Sequence, residues 1–136
     1  MLLDAESVVG AYLRDHADVA ALRARVVPGT PPNTDAPWVR VTLIDPRNVT
    51  GSTEHEYLVD YQLQFDCYSG RSGDQALASR LVRTVRAALV AMRGGHGDVV
   101  VSAVAFAGMH RLPDRDFEPE MQRYILTADI RMHPAG

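Results

Sequence analysis

The sequence predicts an α+β domain: a mainly antiparallel sheet with a long helix and an N-terminal helix packed on it. Three observations carry that expectation. Two long runs, one ending at Tyr68 and one at Met132, alternate apolar and polar residues in the period of a half-buried strand. The segment Asp74 to Met92 places Leu77, Ala78, Leu81, Val82, Val85, Leu89 and Met92 on one helical face. Strand-like runs follow one another across hairpin-length connections, which favours antiparallel pairing. With 136 residues the chain has the size of one domain, so residues 1–136 are read as a single unit.

Asp4 is placed to cap a first helix with apolar residues at Ala5, Val8, Val9, Tyr12 and Leu13, ending near His16. Asp18 is the expected cap of a further short turn, and Arg25-Val26-Val27-Pro28-Gly29 reads as a brief strand stopped by a turn. Trp38 to Ile44 alternates as a strand, and Asp45 to Thr53 reads as a polar connection. From Glu54 to Tyr68, the residues Tyr57, Val59, Tyr61, Leu63, Phe65 and Cys67 share one face. Glu56, Asp60, Gln62, Gln64 and Asp66 share the other.

After the turn Ser69-Gly70-Arg71-Ser72-Gly73, Asp74 caps the long helix, which Gly94-Gly95 stops. In the next strand, Asp98 to Gly108, the residues Val99, Val101, Ala103, Ala105 and Ala107 fall on one face and Val100, Val104 and Phe106 on the other. That pattern predicts cover on both sides, with the small residues letting the long helix lie close. His110 to Pro119 reads as a polar connection, and Gln122 to Met132 as the last strand.

Composition narrows the function classes. Hydrophobic residues make up 46% and charged residues 23%, as in ordinary globular domains. No apolar run reaches the ~20 residues of a spanning helix, and the first residues lack the basic region of a signal peptide, so a cytoplasmic start is expected. All 14 basic residues are arginine, a bias that fits a GC-rich coding genome, and the net charge of −3 argues against a protein whose main task is gripping nucleic acid.

The candidates for chemistry each have a plainer account. His16, His55, His96, His110 and His133 are scattered without metal-ligand spacing, and Cys67 ends a core-facing alternation as a small buried hydrophobe. Gly70 to Asp74 lacks the lysine and glycine spacing of a phosphate loop. Asp114, Asp116 and Glu118 bring three carboxylates close together, yet they alternate with Arg115 between Pro113 and Pro119, as in a solvated or subunit-contacting loop. A small metal-dependent hydrolase built on them is the weakest reading. The acidic face of the long strand, Glu54, Glu56, Asp60 and Asp66, is either a wet sheet face or a surface set toward something anionic or toward a basic neighbour.

The order of these elements resembles the tail terminator (tail completion) family of long-tailed bacteriophages. The likeness lies in Arg25-Val26-Val27-Pro28, in Pro37-Trp38-Val39-Arg40-Val41, and in Tyr61 to Tyr68 running through a polar turn into the helix. It continues in the closing strand Arg123 to Ile130. Where many relatives end the long strand in Trp, this chain has Cys67-Tyr68. The resemblance implies a virion structural protein without enzymatic activity or cofactor, made in the bacterial host cytoplasm and placed at the tail-neck junction. It implies a ring of six subunits that caps the tail tube and meets the head-tail connector or head-closure protein, with DNA only in transit and no membrane contact. Another neck or head-closure component is the alternative. Cyclic assembly needs two unlike patches, and Asp45, Arg47, Asn48, Arg111, Asp114, Arg115, Asp116 and Glu118 are the candidates for them. Glu56, Asp60 and Asp66 are the candidates for lining the DNA channel.

Overall fold

The computed structural model describes residues 3–48 and 59–136. Helix α1 (Ala5–Asp15) begins where the Asp4 carboxylate accepts from the Ser7 amide, and α2 (Ala17–Ala21) follows directly. The cap of α2 is His16, whose ring nitrogen accepts from the Asp18 amide, rather than Asp18 itself. Strands β1 (Arg25–Val27), β2 (Trp38–Asn48) and β3 (Val59–Tyr68) lead to helix α3 (Gln75–Val90). Strands β4 (Gly94–His96), β5 (Val99–Arg111) and β6 (Arg123–Pro134) complete the chain. The Asp74 carboxylate caps α3 by accepting from the Leu77 amide.

The strands form one six-stranded sheet in the order β1-β2-β3-β6-β5-β4. Only the β1–β2 pair is parallel. The helices lie on one face. There Leu81, Val85 and Leu89 of α3 and Val9 and Leu13 of α1 share a core with Leu63, Phe65, Leu126, Ile130 and Met132 of the central strands. The Tyr12 hydroxyl donates to the Ala88 carbonyl at 2.6 Å and ties α1 to the end of α3.

Four segments depart from the sequence reading, each for a local reason. Asp45 to Asn48 is strand rather than connection. One extra residue, Ile44, bulges between Leu43 and Asp45, and pairing with β3 then resumes through Asn48. The remainder of that expected connection, and residues 54–58 of the long alternating run, lie outside the described residues. Gly94 and Gly95 do more than end the helix, since they open the short edge strand β4 that pairs with Val100 and Val101. In β5 the register slips at Ser102 and again at Ala107. The first slip changes the phase of the alternation, so Val99, Val101, Val104 and Phe106 face the helices while Ala103 and Ala105 lie across from Arg131 and Asp129 on the other face. The small residues therefore do not lie under α3, and the far half of β5 is covered on one side only, with Ala105 and Ala107 exposed. Finally, His110 and Arg111 belong to β5 and pair with Ile125 and Tyr124.

Candidate functional site

The face of the sheet away from the helices carries a network of paired polar groups. Cross-strand register sets Trp38 beside Tyr68, Arg40 beside Asp66, and Tyr68 beside Arg123. Over this corner folds the segment 112–122, held by paired backbone bonds between Asp114 and Met121. Trp38 and Tyr68 stack with ring centroids 4.2 Å apart, Phe117 meets both edge-on, and Met121 closes the small apolar cluster. Segment 112–122 thus straps the corner, and the turn at Gly70–Ser72 packs beside it: Ser72 Oγ donates to the Asp35 carbonyl at 2.7 Å, and Arg71 lies over the Phe117 ring. Gly70 there has φ +77°, and a β-carbon would collide with the Asp35 and Ala36 backbone, so only glycine fits.

Charge pairs surround that cluster. Arg40 reaches Asp66 at 2.8 Å and also donates to the Tyr68 hydroxyl at 2.8 Å. Tyr68 Oη in turn donates to Asp114 Oδ2 at 2.8 Å, and Arg123 lies 3.5 Å from the same carboxylate. Gln64 donates to the second oxygen of Asp66, and the Asp116 amide donates to the second oxygen of Asp114. Burial raises the Tyr68 pKa to about 12, with its bond to Asp114 adding to the shift and the two arginines opposing it. Burial also pushes Asp114 up, but the Asp116 amide, the Tyr68 hydroxyl, Arg123 and Arg40 outweigh it and hold the carboxyl below its ordinary value. At neutral pH the corner therefore holds two carboxylates, two guanidiniums and a neutral phenol, a balanced set that fastens the strap to the sheet.

The expected site residues scatter across this arrangement. Asp66 is 2% exposed and answered by Arg40, so it offers no carboxylate to a channel. Asp60 is half-buried and paired with Arg131 at 3.0 Å. Glu56 lies outside the described residues. The face read as acidic along one strand is charge-balanced in the sheet, because β2 and β6 bring arginines beside it.

Among the contact candidates, Asp45, Arg47 and Asn48 are in β2, opposite Gln62, Asp60 and Val59. Asp114 is buried and committed to the network, whereas Arg115 is almost fully exposed, with Glu120 at 3.7 Å. Asp116 and Glu118 are exposed, and Arg111 donates to Gln122 Oε1 at 2.8 Å. The loop carboxylates do not converge, and no three His, Cys, Asp or Glu are placed to hold a metal ion among the described residues. Cys67 is fully buried, and burial followed by the nearby Asp66 charge pushes its thiol far up, away from nucleophilic use.

Sequence reasoning passed over Arg40, Tyr68 and Arg123 as participants. The available signal was an arginine at a polar position of each strand flanking β3.

What these features define is a sheet protein with one face built into a core and the other strapped by its own loop through paired charges. The chain belongs to the family described as Tail completion protein gp17, whose model matches residues 7–132. That family is one of structural phage tail proteins, and this chain is accordingly a phage-type virion structural component. The fold is similar to that of a chain in the solved structure titled "Virion of native gene transfer agent (GTA) particle". The two chains share 20% identity at a TM-score of 0.69, over 94% of this chain and 93% of that one. No curated protein matches the sequence.

Proposed function

We propose that this protein closes the end of a phage-type tail tube as a ring of its own copies, six by family resemblance, and joins the tube to the head connector. The observation that carries this reading is the tail completion family match across residues 7–132. On this reading the protein is not an enzyme and needs no cofactor. Its partners are its own copies, the tail tube protein and the connector or head-closure protein, at the tail-neck junction of a particle assembled in the host. DNA passes in transit. A sheet face whose half-buried Arg40, Arg123 and Arg131 are each answered by a carboxylate offers phosphates little net attraction, which suits a wall past which DNA moves.

The test is a particle-producing host lacking this chain, examined by electron microscopy. Separate heads and tails, with tubes of irregular length, are the expected result, and supplying the chain in trans should restore joined particles. Tubes of normal length beside heads that leak DNA point to the head-closure role instead. Normal joined particles overturn both.

A further inference from the structure

The two unpaired edges of the sheet match one another. On one side β1 covers only Trp38–Arg40 of β2, which leaves the outer side of positions 41–48 without a strand among the described residues, while their inner side pairs with β3. On the other side β4 covers only Val99–Val101 of β5, which leaves the outer side of positions 102–111 likewise uncovered, while their inner side pairs with β6. These open stretches lie at the same height in the sheet. Register runs from Val41 through Phe65 and Leu126 to Met109, and from Asp45 through Gln62 and Asp129 to Ala105.

Direction agrees as well. Every step from β2 through β3 and β6 to β5 is antiparallel, so β2 and β5 run opposite ways. A second copy placed beside the first without inversion brings its β2 against the first copy's β5 in the antiparallel sense of the rest of the sheet. Large apolar side chains are exposed along both edges: Ile44 at the β2 bulge, and Met109 and Leu112 at the far end of β5.

Neither open stretch has the lysines or the length limit that usually blunt an edge. Pro46 lies near the end of the β2 stretch, and the Glu6 carboxylate accepts from the Leu43 amide at 2.7 Å.

We infer that the β5 edge of one copy pairs with the β2 edge of the next, head to tail, so that the sheets join through backbone hydrogen bonds across each subunit boundary. The occupant of each edge is a second copy of this chain, and Glu6 covers the Leu43 amide until that strand arrives. The inference rests on the ring reading and adds which strands meet. The contact is heterologous, as closure into a ring requires, and it places Ile44 beside the row of Ala105.

Single variants Ala105→Cys and Ile44→Cys, at exposed positions on opposite edges, test it by oxidation of the assembled protein. The native Cys67 is buried and does not compete. The mixed variants are expected to give a covalent dimer that neither gives alone, since residues facing each other across paired strands approach within disulfide reach. Ala105→Lys is expected to raise the concentration for half-assembly by about tenfold or more with an unchanged circular dichroism spectrum.

A dimer from Ala105→Cys alone shows β5 meeting β5 and overturns the inference. Wild-type rings without the mixed disulfide overturn it while leaving the ring reading intact. A wild-type chain that stays monomeric, free and on tail tubes, overturns both.

Discussion

Beneath the helices, Leu63, Phe65, Leu126 and Ile130 are sealed against Leu81, Val85 and Leu89 by apolar contact alone, whereas across the same strands Asp66, Tyr68, Asp114 and Arg123 are held by directed bonds to specific partners. The first face is secured by removing apolar area from water, roughly in proportion to area and with little regard to angle. The second depends on geometry, because a buried polar group that loses its partner keeps the whole cost of its lost hydration. One sheet thus combines a forgiving side with an exacting one. The exacting side is where a loop has to be kept in place.

The widest separation between the faces is expected from Leu81→Ala. Leu81 is fully enclosed, so truncation should cost about 2–5 kcal/mol in urea unfolding while leaving the Trp38 environment of the folded protein unchanged. A loss under about 0.5 kcal/mol means that the helix face contributes far less than its burial implies.

Asp114→Ala should show the reverse. Global stability falls by a smaller amount, about 1–3 kcal/mol, while the 112–122 strap opens to proteases and the fluorescence of the sole tryptophan, stacked under it, changes in the native state. Unchanged fluorescence and proteolysis would show that the apolar cluster alone holds the strap.

Acid should discriminate more gently. The Asp114 carboxyl is held below its ordinary value in the folded chain. Its contribution is therefore complete above the unfolded value of about 3.9 and is lost as pH falls through the lower folded value. Trp38 fluorescence should hold steady from about pH 8 to about pH 5 and move only below the usual carboxyl range. A transition near neutrality would contradict the network.

The smallest effect belongs to Asp60→Asn. Its pair with Arg131 is half in solvent, and the loss should lie between about 0 and 1 kcal/mol, decreasing with salt. A loss above about 2 kcal/mol would place Asp60 with the exacting residues.

The two faces also differed in how far the sequence disclosed them. Apolar alternation at Val59 to Cys67 and helical spacing at Leu81, Val85 and Leu89 located the core because burial repeats with the period of each element. The corner around Tyr68 was closed to that reasoning, since Arg40, Asp66, Asp114 and Arg123 come from two strands, a strap and a third strand whose register no single segment records. Asp60 and Asp66 looked like a negative stripe because periodicity reports one strand at a time and is blind to the arginines beside it. In β5 the alternation itself misled, because it assumes an unbroken count and the count breaks at Ser102.

That break gives the two long strands unequal tolerance to change in length. Strand β5 carries a spare residue at Ser102 and another at Ala107, so a one-residue deletion beside either can be taken up by straightening the chain, with every side chain downstream keeping its face. Strand β3 has no such slack: it is matched one to one with β6 from Val59 to Tyr68, and losing any residue between them turns the remainder inside out. Gene variants of this domain that differ by a single codon should therefore collect at the sheet's margin, while its centre admits exchange of residue type alone.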